Sequence, residues 1–504
     1  MNHFESYNCS VMGYSHISKG IPCQDASASL DRGDIHIAIA ADGHGDKNCF
    51  RSNIGSQAVC DIALRVILAF AESLEGSDRV EELFLEKHGE RMATHLFQSI
   101  LGEWTEQMYR HAKENPPTEE ELKKASDSAA QLYRSGRWLT HMYGTTLIAA
   151  LMTDRYALLL HQGDGRCTVI HRDGSMSQPV PWDPRCEGRN TTSMCDPDVV
   201  SSWRYAIIDR QEDPIIGVYC SSDGVEDSFE TMEETLTYLG ALTADYVDEG
   251  REHYLQTLGP HFSSLSQHGS LDDVTLSAIL DVEAVKPFVE LYRLLRQQSA
   301  LRMERKKAEE RLVSMERKTN YLADQVAKAQ AACQQAEQSY ETSSSRMRQL
   351  WDSWFREKTE SESQKNQLQQ AKQRLEVALK EQADYGEIRA QIQKKEDDAT
   401  LELQKLDEKI AALKLEDIIP AAETGSLESV EEDSVYEPAE AEFSPFTEGP
   451  ADPSEQPPLR SKEGDASAAV DPSRPEHSTE MPLPADSRNE PSSDGKTAEK
   501  ADEP

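Results

Sequence analysis

The segment IHIAIAADGHGDK, residues 35–47, contains a strand-like run that ends in an unusual turn. Residues 35–41 are apolar except for one histidine, and their length and composition predict a buried strand. The run ends at Asp42, and two glycines flank His44. A carboxylate at such a place is costly unless it is paired, hydrogen-bonded or bound to a cation. The segment alone therefore predicts either a tight turn capped by Asp42 or part of a ligand site.

Acidic residues follow or precede several other strand-like runs in the same way. In YALLLHQGDG the strand-like run is followed by Asp164, in IIGVYCSSDG it is followed by Asp223, and in LDDVTLSAIL it is preceded by an Asp-Asp pair. If these strand ends converge, the carboxylates repel one another unless a multivalent cation lies among them, and an all-oxygen site favours Mg²⁺ or Mn²⁺ over zinc. Two such ions about 4 Å apart present an activated water, and an adjacent histidine can protonate a leaving oxygen. The residues indicate phosphate-ester hydrolysis.

Composition divides the chain into three segments, which we predict to be a globular domain (1–283), a coiled coil (284–415) and a disordered tail (416–504). The first segment combines strand-sized apolar runs with two helical patterns, which predicts an α+β domain. Within it, the polar residues 113–136 are expected to lie outside the core, and residues 181–200 are expected to form a long surface loop with little packing.

Residues 308–413 carry a heptad pattern of apolar residues, which predicts a coiled coil. Both a parallel dimer and an antiparallel fold-back satisfy the pattern, and one continuous rod over the whole segment would be about 200 Å long. The a and d positions are Ala308, Leu312, Met315, Leu322, Val326, Ala329, Cys333, Ala336, Met347, Leu350, Trp354, Leu368, Ala371, Leu375, Ala378, Leu403, Leu406, Ile410 and Leu413.

The charge of the chain restricts the classes of partner. The net charge is −38, and residues 416–504 combine 24 acidic with 6 basic residues, which predicts a solvated, disordered tail. This acidity argues against a nucleic-acid partner. Nine scattered cysteines suggest reduced thiols. Because neither a signal peptide nor an apolar run of about 20 residues is present, we expect a cytoplasmic protein with no membrane partner.

These motifs, in this order, resemble the metal-dependent protein phosphatase 2C (PPM) family of serine/threonine phosphatases, and SVMGYSHISKGIPCQDA is most similar to its bacterial branch. The resemblance covers about residues 8–282. It implies a PP2C-like β-sandwich of two antiparallel sheets flanked by α-helices, with a metal centre at one end. It also implies that water activated by two Mn²⁺ or Mg²⁺ ions attacks phosphoserine or phosphothreonine in protein substrates directly.

The resemblance implies roles for individual residues. Asp42 is similar to the ligand that bridges both metals, and the carbonyl of Gly43 to a ligand of the second metal. Asp223 and Asp272 resemble the other ligands of the first metal. His44 occupies the position of the family's DGHG histidine, for which general acid is the implied role.

Further positions match the family's supporting motifs. Asp164 and Asp227 resemble the acids of a weaker third metal site, and Asp25 matches the acid of the first motif. Residues 144–146 resemble the motif that supports the metal carboxylates, and residues 181–200 fall where the family has its flap.

The chain departs from the family at the phosphate-binding position. Many members have an arginine five residues before the position of Asp25, whereas this chain has Gly20 there, with Lys19 beside it. Lys19 is the candidate to bind phosphate as a point charge, without the bidentate fork of arginine. Elsewhere, Arg51 is expected to be solvated, and His16 to be an ordinary structural histidine.

Three functions therefore follow from the sequence, in decreasing order of support. The first is a serine/threonine phosphatase whose coiled coil mediates self-association or docking to a partner. The second is a pseudophosphatase scaffold that binds phosphoproteins, which only the missing arginine favours. The third is a structural coiled-coil protein with an incidental globular head.

Overall fold

The computed structural model describes residues 4–74, 78–188, 190–347 and 354–413. The described chain divides into two units, one formed by residues 4–239 and 245–287 and the other by residues 240–244 and 288–413. Each unit is described by itself. The tail predicted over residues 416–504 lies outside the described residues.

The first unit contains two five-stranded antiparallel sheets, as the sequence predicts. One sheet has the strand order β1-β10-β9-β6-β7 and the other has the order β2-β3-β4-β5-β8. The strands are β1 (Phe4–Val11), β2 (Ala26–Arg32), β3 (Ile35–Ala41), β4 (Leu147–Met152), β5 (Tyr156–Gln162), β6 (Arg166–His171), β7 (Met176–Ser177), β8 (Arg204–Asp209), β9 (Ile215–Ser221) and β10 (Val274–Asp281).

Eleven described helices lie before residue 289, and several of them are single turns. They are α1 (Tyr14–Lys19), α2 (Ser52–Leu74), α3 (Asp78–Leu83), α4 (Gly89–Glu114), α5 (Glu119–Leu122), α6 (Asp127–Arg134), α7 (Val199–Ser202), α8 (Asp223–Glu226), α9 (Met232–Glu249), α10 (Arg251–His268) and α11 (Val282–Val285). A π-helical turn covers Phe84–His88, and 3₁₀ turns cover Leu139–Tyr143 and Lys286–Phe288.

Strand β3 lies in the second sheet and is buried at every position. Ala38 and Ala40 contribute to the core between the two sheets. Its isoleucines, Ile37 and Ile39, point to the opposite face and pack in the core formed with α2 and α4. Since successive side chains of a strand alternate between faces, a strand covered on both sides is apolar nearly throughout. This double coverage explains the apolar run before Asp42.

Helix α2 has a length and apolar content that would also allow it to cross a membrane. Among the described helices it alone meets that test, and half of its most apolar window is buried inside the protein. The helix packs on the second sheet, and Trp104 of α4 donates its indole N–H to the carbonyl of Gly55 at 3.0 Å. Helix α2 therefore has the burial of a core helix in this unit.

The expectation that residues 113–136 lie outside the core is wrong for part of that segment. Leu122 of α5 and Ala129, Ala130 and Tyr133 of α6 are buried. In α6 the three buried residues lie on one helical face. This pattern is hard to recognise in the sequence, because the helix is short and the segment is largely polar. The segment covers one edge of the helical layer.

The second unit contains two long helices, α12 (Val289–Met347) and α13 (Trp354–Ala412), packed antiparallel. Near the start of α12, Gln298 donates to Asp407 Oδ1 at 2.6 Å. Near its end, Glu337 forms an ion pair with Lys372 at 3.0 Å. The structure therefore shows the fold-back, and each helix is about 90 Å long, so a continuous rod of about 200 Å is wrong.

The heptad positions form the seam between these two helices. Every predicted a and d residue whose side chain is described is buried or half-buried. The side chains of Met347, Leu350 and Trp354 lie outside the described residues. The described heptad positions are confirmed as the packing face within one chain.

Candidate metal centre

Three aspartates from different strand ends meet at one end of the sandwich. Asp42 follows β3, Asp164 lies in the turn that leads from β5 of one sheet to β6 of the other, and Asp223 follows β9. One carboxylate oxygen from each lies within 4.8 Å of the others. These three strand ends therefore converge, which is the condition on which the sequence argument for a cation site depends.

The backbone of Asp42 is held by the segment that follows the 3₁₀ turn before β4. The N–H of Asp42 donates to Thr146 Oγ1 at 2.8 Å. The carbonyl of Asp42 accepts hydrogen bonds from the N–H of Thr146 at 2.8 Å and from Thr145 Oγ1 at 2.9 Å. These three bonds fix the direction in which the Asp42 side chain leaves the strand.

Gly43 is required by a close approach of two chain segments. A Cβ atom at this position would lie 2.2 Å from the carbonyl oxygen of Gln24, a separation that no side chain tolerates. The contact brings the segment around Gln24 and Asp25 against the turn after β3. Glycine at position 43 thus serves backbone packing as well as any ligand role.

The electrostatics of the cluster disfavour charged carboxylates in the absence of a cation. Burial, followed by repulsion from Asp25 and Asp164, raises the pKa of Asp42. Burial and the charge of Asp42 raise the pKa of Asp223, and burial and the charge of Asp273 raise the pKa of Asp25. In addition, Oδ2 of Asp25 is buried without a hydrogen-bond partner among the described residues. A cation among these oxygens would offset both the cost of burying the charged carboxylates and the repulsion between them.

Asp227 and Asp272 lie at the exposed rim of the same region. Asp227 follows the short helix α8, and burial, then Glu226, Asp164 and Asp272, raise its pKa. The charge of Asp272, which precedes β10, also contributes to the raised pKa of Asp42. All the predicted acids therefore face one region, four of them in its interior and these two at its edge.

His44, the candidate general acid, and Lys19, the candidate phosphate-binding residue, differ in their surroundings. His44 is buried, and its backbone N–H donates to the carbonyl of Gly144 at 3.1 Å. Lys19 is the exposed last residue of α1 and forms no ion pair within the described ranges. His44 is therefore buried two residues after Asp42, and the roles of both His44 and Lys19 stay predictions.

Residues 181–200 pack more closely than the sequence suggests. Asp183, Ser193 and Met194 are among several buried residues of this segment. The N–H of Met194 donates to the carbonyl of Thr145 at 2.9 Å, and Ser193 Oγ donates to the same oxygen at 3.3 Å. The expectation of little packing is wrong, because short polar side chains satisfy the buried backbone of the loop. The loop packs against Thr145, one of the residues that hold the backbone of Asp42.

Two ion pairs beside the site were not evident from the sequence. Arg166 donates to Glu226 at 2.8 Å and so links the turn of Asp164 to the helix before Asp227. Arg51, expected to be solvated, is buried and binds Glu121 through two hydrogen bonds of 2.8 and 2.9 Å. No local pattern marks either pair, because the partners are far apart in the chain.

The family model for protein phosphatase 2C matches residues 12–258. This range includes most of the acids described above and ends before Asp272. A search of curated proteins gives no match.

Several solved structures are similar to this chain. A bacterial serine phosphatase has 17% identity and a TM-score of 0.35, and the match covers 55% of this chain and 98% of that chain. The serine/threonine phosphatase Stp1 from Staphylococcus aureus has 16% identity and a TM-score of 0.35, with 56% and 95% covered. The catalytic domain of the phosphatase PstP, in complex with 2 manganese ions, has 14% identity and a TM-score of 0.34, with 55% and 97% covered.

Proposed function

We propose that the chain is a metal-dependent phosphatase that hydrolyses phosphoserine and phosphothreonine in proteins, because residues 12–258 match the family model for protein phosphatase 2C. The observation that carries this proposal is the group of three carboxylates, Asp42, Asp164 and Asp223, whose oxygens lie within 4.8 Å. Such a group repels itself at neutral pH, and a multivalent cation is the partner that this arrangement fits.

The donor set fits Mn²⁺ or Mg²⁺. Every donor is an oxygen, which these ions prefer, and Oδ2 of Asp25 is buried without a hydrogen-bond partner among the described residues. When bound, two ions and a weaker third would supply charge stabilisation and a water of lowered pKa. The residues that we assign to hold them are Asp25, Asp42, the carbonyl of Gly43, Asp164, Asp223, Asp227 and Asp272.

His44 is assigned as the general acid for the leaving oxygen of serine or threonine. Its backbone is held by Gly144, and a Cβ on Gly144 would lie 2.7 Å from the His44 ring. The glycine thus makes room for the imidazole beside the acids. Histidine can carry a proton near neutral pH and release it in the reaction.

The pseudophosphatase scaffold is the second candidate, and the phosphate-binding position favours it. Gly20 stands where the family resemblance implies an arginine, and the neighbouring Lys19 is exposed. An exposed lysine attracts a phosphate as a point charge but does not orient it as a guanidinium fork does. This departure affects substrate binding and leaves the proposed metal ligands intact.

We further propose a working division of the chain into a phosphatase domain (1–283), a coiled coil (284–415) and a tail (416–504). The antiparallel helices α12 and α13 give the chain a long polar surface for docking to a partner or a second copy. A cytoplasmic location and phosphoprotein substrates complete the proposal.

Asp42→Asn in the full chain tests the metal assignment. We expect wild type to hydrolyse p-nitrophenyl phosphate and a phosphothreonine peptide with Mn²⁺ or Mg²⁺ and to lose activity in EDTA. The Asp42→Asn variant should lose at least about 100-fold in kcat, since the ligand that both ions share becomes a neutral amide.

Asp61→Asn is the matched control, because Asp61 lies on the exposed face of α2, and we expect it to keep full activity. Near-normal turnover by Asp42→Asn would contradict the assignment. Wild type that binds Mn²⁺ but does not turn over either substrate would favour the scaffold.

A further inference from the structure

His16 lies beside the acidic cluster and is buried, with 8% of its surface exposed. Its Nδ1 is 2.8 Å from Asp273 Oδ1, and its Nε2 is 3.7 Å from Asp272 Oδ1. Asp273 is itself buried, whereas Asp272 is exposed. The imidazole therefore makes one short hydrogen bond to the inner aspartate and faces the outer one.

Asp273 connects this histidine to the segment that carries Asp25. Its Oδ1 accepts the N–H of Gly13 at 2.5 Å, and its Oδ2 accepts the N–H of Gln24 at 2.6 Å. The N–H of Asp25 is also within 3.4 Å of Oδ2. One buried carboxylate thus joins the start of α1, the loop before β2 and the start of β10.

The loop that leads into Asp272 has a conformation that needs such support. Leu271 has a φ of +66°, a left-handed value that costs free energy for a residue with a branched side chain. Its carbonyl accepts the N–H of Ser15, the residue before His16, at 2.9 Å. The segment around His16 therefore holds the loop at the strained residue and at the two aspartates that follow it.

We propose that His16 and Asp273 form a positioning pair that holds Asp25 and Asp272 in place and thereby raises the affinity of the centre for Mn²⁺. The inference rests on the proposed function, in which these two aspartates face the metals. We assign His16 a positioning role, because its Nδ1 bonds to Asp273 and its Nε2 faces Asp272 at 3.7 Å. Residues that orient metal ligands through hydrogen bonds typically change metal affinity about 10–100-fold when they are replaced.

The test is Mn²⁺ binding by the metal-free full chain, measured by isothermal titration calorimetry, with the melting temperature in EDTA measured in parallel. His16→Leu removes the hydrogen bond, and we expect it to raise the Mn²⁺ dissociation constant about 10-fold or more. His16→Asn places an amide N–H near the position of Nδ1, so it should restore affinity to within about 3-fold of wild type. If the leucine variant does not fold, His16→Gln replaces it, because its amide lies too far out to donate to Asp273.

His36→Leu is the matched control. His36 is also buried and forms the same kind of bond, from Nδ1 to Asp31 Oδ1 at 2.8 Å. It lies at the far end of β3, about 20 Å along the strand from Asp42. We expect this variant to lower the melting temperature without changing the Mn²⁺ dissociation constant.

The outcomes separate the inference from the function on which it rests. Wild type that binds no Mn²⁺ overturns both. Wild type and His16→Leu with equal affinity overturn the positioning role and leave the proposed function standing. Equal weakening in His16→Leu and His36→Leu, or no recovery in His16→Asn, also overturns the role, because either result shows general loss of structure.

Discussion

Asp42 owes its position to its backbone and to its neighbours more than to its own side chain. Three hydrogen bonds from Thr145 and Thr146 hold its peptide groups, and Gly43 admits the carbonyl of Gln24. The carboxylate that results is costly without a cation, because burial and neighbouring charges raise its pKa. Under the proposed function, single residues in this centre trade stability of the metal-free protein for the capacity to bind a metal.

Gly43→Ala tests the close approach. The new Cβ would lie 2.2 Å from the carbonyl oxygen of Gln24, and we expect the free energy of unfolding to fall by about 1–3 kcal/mol, as overpacking typically costs. Gly45→Ala is the control, since its Cβ meets only a flexible side-chain oxygen at 3.8 Å. Urea denaturation in EDTA provides the measurement, and equal stability of the two variants would show that the contact is not rigid.

Raised pKa values in the acidic cluster give a pH dependence with a defined sign. An acid whose pKa is higher in the folded than in the unfolded protein stabilises the fold at low pH, and that contribution is lost as pH rises through the folded pKa. In EDTA we therefore expect the contribution of Asp25, Asp42 and Asp223 to decline as pH rises above about 4, the ordinary value for aspartate.

Asp42→Asn provides the measurement of this effect, because it removes one repelling charge. At pH 7 in EDTA we expect its melting temperature to exceed that of wild type by about 2–4 °C, the shift that roughly 1 kcal/mol produces in a domain of this size. Saturating Mn²⁺ should reverse the order, since only wild type keeps the full ligand set. A variant that melts below wild type in EDTA at pH 7 would contradict the electrostatic account.

A buried arginine joins α2 to α5 and to the 3₁₀ turn before β4. Arg51, at the entry to α2, donates to Glu121 of α5, to the carbonyl of Asn115 and to the hydroxyl of Tyr143. A buried guanidinium needs all these acceptors, because an unpaired charge in that position is strongly unfavourable. The pair holds the polar segment around α5 in place, although the composition of that segment does not by itself predict an ordered structure.

Glu121→Gln should cost about 1–3 kcal/mol of unfolding free energy at pH 7, because Arg51 would keep its charge without a full partner. The arginine lowers the pKa of Glu121 to about 2. A depressed pKa stabilises the fold above the ordinary value for glutamate, and this contribution is lost as pH falls toward 2. The cost of the substitution in urea denaturation should therefore shrink between pH 5 and about 2.

Glu106→Gln is the matched control for that pair, since Glu106 binds Arg110 one turn away on the exposed surface of α4. We expect it to cost less than about 0.5 kcal/mol. If Glu121→Gln and Glu106→Gln lower the free energy of unfolding equally, burial adds nothing to the stability of the Arg51 pair.

The whole molecule combines two units with cores of different kinds. In the first, helices and sheets bury both faces of β3, whereas in the second a narrow apolar seam joins α12 to α13. The seam closes within one chain, as the bond between Gln298 and Asp407 shows. A structure closed in this way does not need a second copy to bury its heptad positions.

Leu403→Ala tests this closure, because Leu403 is buried in the seam with 6% exposure. We expect a loss of about 2–4 kcal/mol from the helical unit, seen in the circular dichroism of helix melting, with little change in Mn²⁺-dependent activity. Leu401→Ala, at 53% exposure two residues earlier, should cost less than about 0.5 kcal/mol. A melting temperature that rises with protein concentration would show that the helices pair between chains instead.

The sequence by itself determined the main elements and the acidic residues that lie at their ends. Run length and apolar composition mark β3 and the strands before Asp164 and Asp223, and the heptad period marks the seam of α12 and α13. These are local patterns, so the residues that form them lie within a few turns of one another. The predicted sandwich and the convergence of the acids followed from them together with the family resemblance.

Only the tertiary structure decided which distant segments meet. His16 and Asp273 are 257 residues apart, Arg51 and Glu121 are 70 apart, and the loop 181–200 packs on Thr145. The heptad pattern was equally compatible with a dimer and a fold-back, since it specifies a face and not a partner. The physical reason is that periodicity encodes which side of an element is apolar, whereas long-range polar pairs depend on where folded elements end in space.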